Sequence, residues 1–207
     1  MNHKAFVVID IQNDITRHYK DIIDRLNAAV EWAAESGMEI VYIQHNNLSA
    51  GTRTFKPGTK GAELVPELKI VSDHIFVKTK ANALTSEAFS EFIRSKEIRE
   101  FYITGADATG CVKSTCFNMT KAGYAVHVIS DCVTSYDLKK PEMLAYYDCC
   151  FLDWVLFANV KRIRLPGTEQ MDRAYHQKKY HVIRSLIGMA LGLFPCLACG
   201  WIVAAVS

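Results

Sequence analysis

A cysteine stands just past a glycine-punctuated turn in the stretch ITGADATGCVKST, where an apolar run gives way to a helical pattern. A structural thiol would pack better inside the strand or on the inner face of the helix. A helix N-terminus and a nearby cation both favour the thiolate, which is the nucleophilic form of cysteine. Cys111 is therefore a candidate nucleophile.

Two further polar residues stand where other apolar runs end. Asp10 follows AFVVI near the N-terminus, and Lys78 closes the run HIFVK. Lys78 could supply the cation that stabilises a thiolate, and Asp10 could accept the thiol proton and later pass it to a leaving group. Together with Cys111, these residues suit nucleophilic acyl transfer with general acid–base catalysis.

Each of the three residues also has a purely structural interpretation. A cysteine at a strand–helix junction is commonly a small packing residue, and an aspartate after a strand commonly caps the following turn. Lys78 could be an ordinary solvated side chain. Their joint placement at one edge of a sheet favours catalysis over these alternatives.

The apolar pattern predicts the elements that would bring these side chains together. Strands alternate with helices, which predicts a three-layer α/β/α sandwich with a mostly parallel central sheet. In such a sheet ligands bind at the carboxyl ends of the strands, where all three candidates lie. The predicted strands are 5–10, 39–44, 74–78, 100–105 and 125–130, the predicted helices are 21–37, 86–96, 111–122 and 141–152, and 46–69 is a predicted loop.

The composition limits the classes of function. The chain has 207 residues, half of them hydrophobic, and a formal net charge of +2, which indicates a globular protein with a sizeable core. Since basic residues do not cluster with aromatic ones, we expect no nucleic-acid partner. Seven cysteines and an N-terminus that reads as a strand rather than a signal peptide predict a reducing, cytoplasmic setting.

Three motifs in this order and at this separation resemble those of the isochorismatase-like cysteine hydrolases, a family that includes nicotinamidases, N-carbamoylsarcosine amidases and isochorismatases. The motifs are VVIDIQND, VKTKANAL, and ITGADATGCVKST followed by AGYAVHVISDCVTS, and the resemblance covers roughly residues 4–160. It implies that Asp10, Lys78 and Cys111 form a catalytic triad.

The resemblance also implies an oxyanion hole beside the nucleophile. A cis peptide bond is expected between Ala106 and Asp107, and the backbone N–H groups of Asp107 and Cys111 are the expected donors to a developing oxyanion. The resemblance therefore implies a small-molecule substrate, and the implied reaction is hydrolysis of a small amide or related C–N bond through an acyl-enzyme on Cys111. An isochorismatase-type vinyl-ether hydrolase and a non-catalytic binding or scaffolding member of the fold are the alternatives.

The stretch after the second predicted strand departs from the nicotinamidase pattern. Nicotinamidases of this family carry an Asp-x-His metal cluster there, whereas this chain reads IQHNNLSAG, with His45 but no aspartate two residues before it. We therefore expect no metal and no cofactor. Gln12, His45 and residues of the 46–69 loop are expected to line the substrate pocket, and the resemblance alone leads us to expect a homo-oligomer.

The C-terminal part differs in composition from the rest. We predict a hydrolase domain over 1–167, a basic linker over 168–184 and an apolar segment over 185–207 that contains no charged residue. The apolar segment is long enough to cross a bilayer, and basic residues precede it, as in a tail anchor. A tail packed on the domain or in an oligomer interface, and a divergent or artificial C-terminus, are the alternatives.

Overall fold

The computed structural model describes residues 3–15, 20, 22–135 and 161–165, with the backbone alone at 161 and 162. Within these residues six strands form one parallel sheet in the order β3-β2-β1-β4-β5-β6. The strands are β1 (Lys4–Ile9), β2 (Glu39–His45), β3 (Ile75–Lys78), β4 (Glu100–Gly105), β5 (Ala125–Val133) and β6 (Lys161–Ile163). The helices are α1 (Ile23–Glu35), α2 (Glu87–Ser95) and α3 (Lys113–Lys121).

Helices cover both faces of the sheet, which confirms the predicted three-layer α/β/α architecture. The apolar side of α1, which includes Leu26 and Val30, packs with Phe6 and Tyr42 on one face. Residues of α2 and α3 pack with the alternate side chains of β1 and β2 on the other face. Because both faces are covered, the central strands read in the sequence as nearly continuous apolar runs.

Some boundaries differ from the predicted ones. The helix predicted to open at Cys111 begins at Lys113, because a wide helical turn at Ala108–Val112 precedes it and contains the cysteine. The strand β5 extends to Val133, and β6 was not predicted because three residues are too few to show a periodic pattern.

Three predicted regions lie outside the described residues: the helix 141–152, the linker 168–184 and the apolar segment 185–207. None of the helices that the structure describes is long and apolar enough to cross a bilayer.

Glycine is required where β4 ends beside β1. The backbone N–H of Ala106 donates to the carbonyl of Ile9 at 2.8 Å, and Gly105 has a φ of 108°. A Cβ atom at Gly105 would overlap the backbone of Ile9. The close contact of these two strand ends therefore depends on a residue without a side chain.

We expect Gly105→Ala to destabilise the fold far more than Gly123→Ala. Gly123 also has positive φ, at 88°, but its Cβ would meet nothing within 4 Å, so its replacement should cost only the backbone strain of about 1–2 kcal/mol. At Gly105 the overlap with backbone atoms adds to that strain, and we expect a loss of about 4 kcal/mol or more. Urea unfolding of both variants measures the difference; equal losses would contradict the steric argument.

Candidate active site

The carboxyl ends of three strands bring Asp10, Lys78 and Cys111 into contact. Lys78 ends β3, Asp10 follows β1, and Cys111 lies in the wide turn after β4. The ammonium Nζ of Lys78 donates to Asp10 Oδ2 at 2.8 Å and to Cys111 Sγ at 3.2 Å. Lys78 is only 1% exposed, so the interpretation of Lys78 as a solvated side chain is wrong.

The backbone at Asp10 turns sharply after β1. Its φ of 54° lies in the left-handed region, which aspartate tolerates better than most residues do. Its N–H donates to the carbonyl of Ile43 in β2 at 2.9 Å. The carboxylate is consequently fixed between the ends of two neighbouring strands.

The turn that contains Cys111 is organised by the carboxylate of Asp107. The oxygen Oδ1 accepts hydrogen bonds from Thr109 N at 2.7 Å, Thr109 Oγ1 at 2.8 Å and Ser135 Oγ at 2.7 Å. The N–H of Ala108 also donates to the carbonyl of Thr134 at 2.9 Å. The turn is thereby tied to the end of β5, and the peptide bond between Ala106 and Asp107 is cis, at the position that the family resemblance implied.

Sequence reasoning missed Thr109 and Ser135. The only signal was a run of short polar side chains on both sides of the turn, in ADATG and in TS at 134–135. Short polar residues are common in every loop, so their joint role becomes visible only from the hydrogen bonds.

His45 lies beside the three contacting residues. Its ring nitrogen Nδ1 is 3.7 Å from Cys111 Sγ and 3.8 Å from Asp10 Oδ2. The ring stacks on Phe55, with 5.5 Å between centroids and an interplanar angle of 18°. His45 therefore forms one wall of the site, and the 46–69 loop supplies the surface behind it.

Gln12 holds the backbone that carries His45. Its amide Nε2 donates to the carbonyls of His45 at 3.0 Å and Ala62 at 2.6 Å, while its Oε1 accepts from the N–H of His45 at 2.8 Å. Gln12 is fully buried. Its role in substrate binding stays a prediction, and its contacts in this structure are with the main chain of β2 and of the loop.

The carboxylate of Asp14 fixes the loop that contains Phe55. The carboxylate of Asp14 accepts the N–H of Phe55 at 2.6 Å. Gly61 packs so closely against that carboxylate that a side chain there would overlap it. The aromatic surface behind His45 is thus anchored to the segment that follows β1.

The pKa of Cys111 is raised, whereas a resting thiolate would require a lowered pKa. Burial raises the pKa of Cys111 to about 12, and the carboxylate of Asp10 adds to this rise, which the ammonium of Lys78 only partly offsets. Cys111 is therefore a thiol at neutral pH. Burial also raises the pKa of Asp10, against the opposing effect of Lys78, and the ammonium at 2.8 Å favours the ionised carboxylate.

His45 is uncharged in this environment. Burial lowers the pKa of its imidazole to about 4, and the nearby ammonium of Lys78 contributes to the decrease. At neutral pH the site thus contains one cation, one anion, one thiol and one neutral imidazole. This set can transfer a proton from sulfur to carboxylate at the moment when the sulfur attacks an electrophile.

Cys111, His45 and Asp10 offer one sulfur, one nitrogen and one oxygen within 4.8 Å of one another, which are donor types that bind zinc. The ammonium of Lys78 already contacts two of these donors. A second cation among them would meet strong repulsion. The set therefore does not fit a resident metal ion.

Comparisons with known proteins agree with this architecture. Residues 4–147 match the isochorismatase domain. The isochorismatase domain-containing protein 2 of Xenopus laevis is 31% identical over 71 residues, which are 34% of this chain and 35% of that protein. The matched part thus spans about a third of the length of that relative.

Solved structures share the fold at low sequence identity. The N-carbamoylsarcosine amidase from Thermoplasma acidophilum superposes with a TM-score of 0.68 at 18% identity, covering 80% of this chain and 98% of that one. The pyrazinamidase of Pyrococcus horikoshii in complex with zinc superposes with a TM-score of 0.67 at 21% identity, covering 79% of this chain and 99% of that one. At these identities the likeness is one of fold.

We expect Asp10→Asn to make Cys111 more reactive towards iodoacetamide at pH 8. The carboxylate raises the pKa of the thiol whereas Lys78 lowers it, so removing the negative charge leaves the ammonium as the dominant neighbour. Lys78→Met should have the opposite effect. Peptide mapping of Cys111 by mass spectrometry measures the rates, with circular dichroism as the folding control; slower alkylation of a folded Asp10→Asn variant would contradict the assignment of charges.

Proposed function

The chain belongs to the isochorismatase domain family, and from this premise we propose that it is a cysteine hydrolase that cleaves a small amide or a related C–N bond. The observation that carries the proposal is the contact of one buried ammonium, that of Lys78, with both Asp10 and Cys111. Burying a charged pair costs several kcal/mol, and the proposed chemistry uses all three groups.

The first half-reaction is acylation of Cys111. The sulfur attacks the amide carbonyl carbon while its proton passes to Asp10, and the backbone N–H groups of Asp107 and Cys111 stabilise the oxyanion. When the intermediate collapses, the C–N bond breaks and Asp10 gives the proton to the departing nitrogen. The products of this half-reaction are an amine or ammonia and a thioester on Cys111.

The second half-reaction is hydrolysis of that thioester. A water attacks the acyl carbon, its proton passes to Asp10, and the C–S bond then breaks. The proton returns from Asp10 to the sulfur, and the carboxylic acid leaves. The ammonium of Lys78 remains beside whichever neighbouring group is negative, so it stabilises both half-reactions electrostatically.

Two observations support this proposal over its alternatives. Isochorismatase-type cleavage of a vinyl ether needs no cysteine at this position, whereas a sulfur in contact with Lys78 is central to an amidase. A binding or scaffolding protein would gain nothing from burying Asp10 and Lys78 together. The fold is also shared with an N-carbamoylsarcosine amidase and a pyrazinamidase.

We expect Cys111→Ala to abolish turnover while the protein stays folded. A screen of small amides that detects ammonia release identifies a substrate for the wild-type protein, and the variant is then assayed on it. Cys116→Ala is the matched control, since Cys116 is buried on α3 away from the contacts of Lys78, and it should keep its activity. Turnover by a folded Cys111→Ala variant near the wild-type rate would exclude the acyl-enzyme.

We also propose that the protein resides in the cytoplasm, forms a homo-oligomer and is anchored to a membrane by residues 185–207. The anchor is supported by the apolar composition of that segment and by the basic residues before it. We expect the full chain to sediment with membranes and a chain ending at Arg184 to stay in the supernatant. If both stayed in the supernatant without detergent, the segment would not be a membrane anchor.

A further inference from the structure

His45 is the most exposed of three neighbouring side chains in the site, the other two being Asp10 and Lys78. Its side chain is 18% exposed, whereas those of Lys78 and Asp10 are 0% and 1% exposed. Of these three side chains, only the imidazole is therefore reached by solvent to an appreciable extent. The two proposed half-reactions use no atom of this ring.

The ring nitrogen is too far from the carboxylate of Asp10 for a direct hydrogen bond, but close enough for a bridging water. Nδ1 is 3.7 Å from Cys111 Sγ, within hydrogen-bond range for sulfur, and 3.8 Å from Asp10 Oδ2, beyond the usual donor–acceptor length for N and O. Because sulfur, nitrogen and a carboxylate oxygen lie within 4.8 Å of one another, one water oxygen can lie about 3 Å from all three.

Asp10 has a free acceptor for such a water. Its Oδ2 is engaged by Lys78, whereas its buried Oδ1 has no hydrogen-bond partner among the residues that the structure describes. A buried acceptor without a hydrogen bond destabilises the folded protein, and such atoms commonly bind an ordered water. Because Nδ1 is 3.7 Å from Cys111 Sγ, a water between Nδ1 and the carboxylate would lie beside the sulfur that carries the acyl group.

The imidazole is held rigidly in this position. Phe55 stacks on the ring, and Gln12 binds the backbone N–H and carbonyl of His45 from one side chain. The lowered pKa of the imidazole keeps it neutral, so one of its nitrogens is always an acceptor. A fixed acceptor can orient a water without rearrangement during the reaction.

We propose that Nδ1 of His45 positions the water that hydrolyses the thioester on Cys111. The water donates one O–H to Nδ1 and the other to Asp10, and its lone pair attacks the acyl carbon. The proton moves to Asp10, the C–S bond breaks, and His45 keeps its protonation state with the ring proton on Nε2. This inference rests on the proposed function and assigns His45 to its second half-reaction.

The test separates the two half-reactions with p-nitrophenyl acetate as the acyl donor. Release of nitrophenolate reports acetylation of Cys111, and intact-mass spectrometry with peptide mapping reports the acetyl group that remains. His45→Phe keeps an aromatic ring to stack on Phe55 but has no acceptor, whereas His45→Asn keeps a polar atom close to the position of Nδ1. His74→Gln is the matched control, because His74 lies before the start of β3, at the end opposite Lys78.

We expect acetylation at nearly the wild-type rate in His45→Phe, followed by accumulation of acetylated Cys111 and a deacetylation rate lower by about 10²-fold. His45→Asn should recover part of that rate, and His74→Gln should match the wild type. Deacetylation of His45→Phe at the wild-type rate would overturn the inference. Equal slowing of deacetylation in His45→Phe and His45→Asn would also overturn it, because the effect would then come from loss of the imidazole shape and not from loss of an acceptor. A wild-type protein in which Cys111 is never acetylated would instead overturn the proposed function itself.

Discussion

The site depends on one buried ammonium that contacts both a carboxylate and a sulfur. Lys78 is enclosed at the end of an edge strand, and a lone charge there would be strongly destabilising. Asp10 compensates that charge at 2.8 Å, which fixes the positions of the two strand ends relative to each other. Burial and the negative charge of Asp10 both raise the pKa of the neighbouring thiol, so Cys111 rests in its protonated form.

Many polar side chains around the site hold the backbone of the surrounding turns and loop in place instead of pointing towards a substrate. Asp107 collects three donors on one oxygen and ties the turn of Cys111 to β5. Gln12 joins β2 to the loop, and Asp14 anchors the backbone of Phe55. Loops run over the protein surface outside the sheet, so these polar side chains take the place of sheet hydrogen bonds in holding the backbone around the site.

Five of the six strands, the order of the layers and the meeting of Asp10, Lys78 and Cys111 were predictable, because parallel strands end at a common edge and apolar runs mark those strands. The direction of the pKa shift of Cys111 was not predictable. It depends on how deeply the sulfur is buried and on its distance from Asp10, and both are properties of packing rather than of sequence. The same holds for Gln12, whose residue type suits a substrate contact as well as the backbone contacts that it makes.

A protonated thiol and a neutral imidazole are consistent with a site that stays electrically neutral throughout the proposed cycle. At rest the positive charge of Lys78 is balanced by Asp10. When the sulfur attacks, Asp10 takes the proton and the negative charge moves to the oxyanion; when the thioester forms, the charge returns to Asp10. A single negative charge thus moves over a short distance beside a fixed cation. A thiolate beside an ionised Asp10 would add a second anion, and a charged His45 would add a second cation. In a buried site either imbalance would cost more than the transfer of one proton.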